Sequence, residues 1–178
     1  GIGAYAGAVN MVTTPLRPNY MRTEISGGAY GYLYSNISGA ITRNGLSVLA
    51  AGSVRRSDGY IENTDFNNSN LFTRITYTSS SAGLFDMQAG YQRRDFGSNG
   101  FYSLSFPDQF EHTETALASV KWNRSFGRFT LNANASYRKN NDRYELYRGG
   151  KGAPEGWTPN YHTTDNAGAS ISAAFRWA

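Results

Sequence analysis

The chain has 178 residues, 39% of them hydrophobic and 17% charged, with a mean hydropathy of −0.53 and a formal net charge of +4. No run approaches the ~18 consecutive apolar residues of a membrane-crossing helix, and the absence of Cys excludes a disulfide framework, thiolate metal sites and a cysteine nucleophile. The 17 basic residues are scattered, which argues against a nucleic-acid surface, while 20 Gly disfavour long helices.

Residues 1–18, GIGAYAGAVNMVTTPLRP, differ from all that follows. A Gly/Ala-rich start leads into a short apolar strand, Val9–Val12, and then a linker bracketed by Pro15 and Pro18. Gly1, Gly3 and Gly7 are spaced GxGxxxG rather than GxGxxG, and a strand rather than a helix follows, so a phosphate loop is a poor reading. No basic n-region or apolar h-region opens the chain. Both ends read as cut, and we expect a piece of a longer protein.

From there on, alternation of period two recurs. It is weak over Thr23–Ala29, Leu33–Thr42, Leu46–Arg55, Leu71–Thr78 and Thr115–Trp122. It is clear where Phe85, Met87, Ala89 and Tyr91 alternate with Asp86, Gln88, Gly90 and Gln92. Phe129, Leu131, Ala133, Ala135 and Tyr137 alternate with Thr130, Asn132, Asn134, Ser136 and Arg138. Ala167–Trp177 repeats the pattern, with Ile171 and Phe175 on the apolar side and Ser170, Ser172 and Arg176 on the other. Side chains of a strand point alternately to its two faces, so each segment has one apolar and one polar wall. These eight candidate strands run mostly to about 8–11 residues, near the ~9–11 of a tilted membrane strand and longer than the ~5–6 usual in globular sheets.

The connections alternate in length. Arg43–Gly45, Ser79–Gly83 and Asn123–Gly127 are tight turns, whereas Arg56–Asn70, Arg94–Glu114 and Lys139–Asp165 are long, polar and rich in rings. Short turns at one end and long loops at the other mark an outer-membrane barrel. The hairpin at Tyr30-Gly31 falls on the long-loop side but is short. All five prolines lie outside the proposed strands, as ladder hydrogen bonding requires. Trp122, Phe129 and Trp177 sit at the tight-turn end and Tyr91 and Tyr137 at the other, where two aromatic girdles belong. The fold class expected is therefore all-β, a transmembrane antiparallel β-barrel whose lumen receives Arg74, Asp86, Gln88, Asn132, Asn134 and Arg176.

Little in the chain suggests catalysis, and we expect neither an enzyme nor a cofactor. His112 and His162 fall in long loops without a matching nucleophile. Glu111 and Glu114 beside His112 offer metal donors, and Asp58, Glu62 and Asp65, like Asp95, Asp108, Glu111 and Glu114, offer oxygen donors for calcium, but no spacing is diagnostic. The loop rings are the candidate ligand contacts: Tyr60, Phe66, Phe96, Phe101, Tyr102, Phe106, Phe110, Tyr144, Tyr147, Trp157 and Tyr161. With Arg55, Arg56, Arg93, Arg94, Arg143 and Arg148 near the strand tops, they suit an anionic or metal-chelated nutrient. The competing reading is that the rings pack loop on loop while the arginines meet lipopolysaccharide phosphates.

Residues 1–18 also resemble the plug end of the TonB-dependent outer-membrane receptors, whose pattern runs G-x-x-A-x-x-G-A-V/I-N-I/M-V/I-T. Gly1, Ala4, Gly7, Ala8, Val9, Asn10, Met11, Val12 and Thr13 match it, and Thr23-Glu24-Ile25-Ser26 is similar to the family's opening barrel strand. The segment Phe96–Thr115 resembles Bacteroidetes members of the vitamin B12 (cobalamin) and ferric-siderophore branch. The resemblance implies that residues 1–18 close a plug domain and that 19–178 begin a barrel of about 22 strands in the outer membrane of a Gram-negative bacterium. It implies a role in nutrient transport, with the rest of the chain, TonB, outer-membrane lipid and lipopolysaccharide, and a small-molecule nutrient as partners. Two other readings stand beside it: a complete eight-stranded outer-membrane barrel with a structural or adhesive role, and a soluble β-sandwich that binds carbohydrate.

Overall fold

The computed structural model describes residues 19–101 and 103–177. The plug-like segment 1–18, with Asn10 and Thr13, and the ring of Tyr102 lie outside the described residues. Eight strands follow in chain order: β1 Tyr20–Gly27, β2 Leu33–Arg43, β3 Leu46–Ser57, β4 Phe66–Ser79, β5 Gly83–Gly97, β6 Phe110–Phe126, β7 Phe129–Glu145 and β8 Asn160–Phe175. A short 3₁₀ turn, Arg148–Gly150, lies between β7 and β8. Each strand pairs antiparallel with the next, giving one eight-stranded sheet in sequence order.

The tight turns take the form their residues favour. Arg43 pairs with Leu46, leaving Asn44 and Gly45 as a two-residue connection with φ of 50° and 79°. Positive φ at both central positions matches the right-handed twist of the strands, and Asn-Gly tolerates it best. A Cβ on Gly45 would also stand 2.5 Å from the Thr78 carbonyl oxygen of the next hairpin.

The register is staggered. Following the ladder across from Tyr20 leads through Ala40, Leu49, Arg74, Gln88, Ser119 and Ser136 to Gly168, seven residues short of the end of β8 at Phe175. A stagger of this sense tilts the strands and is the geometry from which a sheet closes into a barrel. This sheet is open, with β1 and β8 at its two edges, so it is not a closed eight-stranded barrel. All described strands belong to this one sheet, so among the described residues there is no second layer to make a sandwich.

Pairing sorts the side chains onto two faces. One carries Ile25, Ile37, Ile41, Val48, Leu71, Ile75, Met87, Val120, Leu131 and Ile171 with many Ala and Gly; the other carries Asn, Ser, Thr, Gln and charges. Burial does not follow hydrophobicity. Among the described residues only Ala40 and Phe110 are buried apolar side chains, while Ile171 is 77% exposed, Ile25 76% and Leu71 62%. The flank from Phe129 to Tyr137 is likewise uncovered, at 56% and 46% exposure for its end rings. Phe85 and Tyr91 bound the apolar stretch of β5, about 20 Å apart, and Phe129 and Tyr137 that of β7, about 27 Å apart, at ~3.4 Å per residue.

The strands outrun the sequence expectation and the loops are correspondingly shorter. The three long connections span 58–65, 98–109 and 146–159 rather than Arg56–Asn70, Arg94–Glu114 and Lys139–Asp165. Phe66, Phe96, Tyr144, His112, His162, Asp95, Glu111 and Glu114, expected in loops, lie in strands. Beyond Tyr91 and Tyr137 both faces are polar, so alternation of hydrophobicity disappears while the backbone ladder continues. At the other end β8 stops at Phe175, short of the expected Trp177.

Candidate functional site

The expected inward residues share the polar face. Arg74, Asp86 and Gln88 stand together on β4 and β5: Arg74 donates through Nε to Asp86 Oδ1 at 3.0 Å and through Nη2 to Oδ2 at 2.6 Å. Gln88 Nε2 adds a longer bond to Asp86 Oδ1 at 3.3 Å. Both charged side chains are only 11% and 13% exposed, so the bidentate pair is well shielded. Asn132 accepts from Asn123, and Asn134 donates to Ser170 Oγ at 2.7 Å. Arg176 lies past the end of β8, where its backbone amide donates to the Arg128 carbonyl at 2.9 Å.

Above this level the polar face holds a concavity of about 480 Å³ lined by Tyr34, Ser53, Arg55, Phe66, Asn68, Asn70, Gln92, Arg94 and Phe96. Register builds it. Arg55, Asn68 and Arg94 stand opposite one another on β3, β4 and β5, and Phe66 faces Phe96 one step above. One step below, Gln92 Nε2 donates to Asn70 Oδ1 at 2.6 Å and Asn70 Nδ2 to Ser53 Oγ at 3.2 Å, which fixes both amides. The Arg55 guanidinium lies 5.1 Å from the centre of the Tyr34 ring. Of the candidate ligand rings, Phe66 and Phe96 come together here.

The other rings do not join them. Phe106 meets Tyr147 edge-on at 5.8 Å, and Tyr147 meets Trp157 at 5.6 Å, so these three pack loop against loop. Tyr60 and Phe101 are 71% and 78% exposed. Tyr144, in β7, gives its hydroxyl to Gln109 Oε1 at 3.1 Å. Sequence reasoning missed the hub that joins the three long connections. Gln109 is fully buried and donates through Nε2 to the carbonyls of Phe106 (2.8 Å) and Ser103 (3.2 Å). Asn63, at φ 56°, donates to the carbonyls of Gln109 (2.6 Å) and Pro107 (2.7 Å). Arg148 reaches Asn63 Oδ1 at 2.9 Å and grips Asp65 at 2.5 and 2.8 Å, its guanidinium 4.5 Å from the Phe110 ring centre. The hydrogen bonds from Arg148 hold the Asp65 carboxyl below the usual carboxylate range. None of these residues carries a periodic signal; only the loop lengths hinted that the segments meet.

The arginines near the strand tops divide by face. Arg93 and Arg143 lie on the apolar-parity side and pair with Asp95 (2.9 Å) and Glu145 (3.0 Å). Arg56 shares that side, and Arg148 belongs to the hub; only Arg55 and Arg94 line the concavity. His112 uses its two ring nitrogens on different carboxylates, Nδ1 on Asp95 at 2.6 Å and Nε2 at 3.6 Å from Glu114, while Glu111 occupies the opposite face. His112 with both neighbouring glutamates therefore does not form one metal site. Among the described residues no group of three or more His, Asp or Glu side chains converges to hold an ion.

Comparison with known proteins adds no relative. No family model, curated protein or solved structure matches the chain.

Proposed function

We propose that the chain is a portion of the transmembrane wall of a TonB-dependent receptor in a bacterial outer membrane, importing a scarce nutrient of the cobalamin or ferric-siderophore class. The observation that carries this reading is a wide apolar face left exposed across every strand and bounded on β5 and β7 by rings at both ends, about 20–27 Å apart, set against a hydrogen-bonded polar face. Barrels of the outer membrane carry an apolar band about 25 Å tall between aromatic girdles, and with strands tilted by about 35–45° the ring separations here correspond to roughly 15–21 Å of that height. A lipid-covered outside and a wet inside account for both faces at once. The unpaired edges of β1 and β8 take the remaining strands of a larger barrel, since open edges are not stable at membrane depth.

In this reading residues 1–18 end the plug, with Asn10 and Thr13 on its side, and β1 rises from the periplasm. The turns at Asn44-Gly45, before Gly83 and at Gly127 are then periplasmic, and the hub of three loops is extracellular. The loops and upper wall capture the nutrient, the plug closes the lumen, and force from TonB opens a path. The wall holds no catalytic group in this scheme.

The test uses the whole receptor chain in its host. The protein should fractionate with the outer membrane, require detergent for extraction, and support high-affinity uptake of its nutrient only when TonB is present. Recovery as a detergent-independent soluble protein, or uptake unchanged without TonB, would overturn the proposal.

A further inference from the structure

We propose that Arg55 and Arg94 form a subsite for a planar aromatic polycarboxylate on the upper polar face. The inference deepens the importer reading, resting on its assignment of the polar face as the solvent-filled one. The two arginines flank Asn68 at a single register level, their backbones about 10 Å apart at ~4.8 Å per strand. Neither is paired with a carboxylate among the described residues, unlike Arg93 and Arg143, whose neighbours two positions on are Asp95 and Glu145. At the same spacing Arg94 has Phe96 and Arg55 has Ser57. The concavity between them contains no acidic side chain, and the nearest on this face by register is Glu111, opposite Phe96 and one step above.

Two uncompensated guanidiniums make the concavity attractive to anions, and each presents a planar fork suited to a carboxylate. Phe66, Phe96 and Tyr34 add apolar faces on which a flat ring can stack, a gain that a bare inorganic anion would not realise. Asn68 offers an amide between the two charges. At about 480 Å³ the space suits one aryl group with its acidic substituents, within the range of small-molecule sites.

The experiment titrates terephthalate, a benzene ring bearing two carboxylates, into the full-length receptor chain in detergent, with ligand-observed NMR as the readout. Saturable binding that weakens with added salt is expected. Arg55→Gln and Arg94→Gln should each weaken it about tenfold, the scale of a lost charge-assisted pair. Arg93→Gln, on the opposite face, should leave affinity within about twofold. The uncharged analogue terephthalamide should bind about tenfold or more weakly. Heat-modifiable migration of each variant verifies its fold. No saturable binding, equal binding of the diamide, or equal losses at Arg93 and Arg94 would overturn the subsite. A membrane-inserted receptor that fails this titration loses only the subsite; a soluble chain that passes it through Arg55 and Arg94 loses only the transporter reading.

Discussion

Tyr91 on β5 donates its hydroxyl to the Glu114 carboxylate of β6 at 2.9 Å, and this bond marks a change from apolar to charged side chains along a single face. Below it the same parity continues as Ala89, Met87 and Phe85; above it come Arg93 and Asp95. Tyr137 repeats the arrangement on β7 by donating to Asp165 of β8. A ring that faces apolar neighbours below and a carboxylate above is placed as tyrosines are at a lipid headgroup boundary.

The face assignment predicts opposite outcomes at adjacent positions. Arg at Ile171, level with Ala133 midway between the Phe129 and Tyr137 rings, should hinder insertion by about 2–4 kcal/mol, and Arg at Leu131, one step from the Phe129 ring, by less but measurably. Arg at Asn132 should be tolerated. The amount of heat-modifiable receptor in the outer membrane reads this directly, and equal damage at Leu131 and Asn132 would contradict the facing.

On the polar face, Arg74 and Asp86 predict a non-additive pair. Either single alanine variant should destabilise by about 3 kcal/mol because it strands a shielded charge, while removing both should cost clearly less than the sum. Urea unfolding of the receptor in lipid vesicles gives the three values. Additive losses would show that the two charges are not coupled.

The hub predicts a local rather than global response. Gln109→Leu removes the bonds that gather the carbonyls of Ser103 and Phe106, and should destabilise the 98–109 connection by about 1–3 kcal/mol. Limited proteolysis of intact cells should then cut that connection at least several-fold faster while the strands stay protected. Unchanged cleavage would contradict the hub.

Acidification should loosen the same hub late. The Asp65 carboxyl is held below its ordinary value by Arg148, so its contribution to stability is fully present above about pH 4 and fades as pH falls through the lower folded-state value. Asp65→Asn should remove that dependence. Proteolysis of the 58–65 and 146–159 connections with an acid-active protease, between pH 5 and pH 2, checks the sign.

Legibility in the sequence followed solvent contrast. From Phe129 to Tyr137 one face is apolar and the other polar, so the strand announced itself; from Lys139 to Glu145 both faces are polar, and the strand continued unseen. Arg74, Asp86 and Gln88 share one face of β4 and β5, a parity that the alternating runs around them make readable. The Arg55–Asn68–Arg94 row needed cross-strand register, which period alone does not give. Asn63, Gln109 and Arg148 are invisible for a different reason: Asn63 donates to the Gln109 backbone carbonyl 46 positions on and accepts from the Arg148 guanidinium 85 positions on, contacts that leave no periodic trace in the sequence.

On the function proposed above, one face of this sheet meets lipid and the other water. The described chain has no native Cys, so single cysteines from 129 to 138 can carry a nitroxide in the receptor reconstituted in vesicles. Electron paramagnetic resonance should then show oxygen accessibility peaking at Leu131, Ala133 and Ala135, and accessibility to a water-soluble nickel chelate peaking at Asn132, Asn134 and Ser136. Equal water accessibility at both sets, or a profile without period two, would contradict the account.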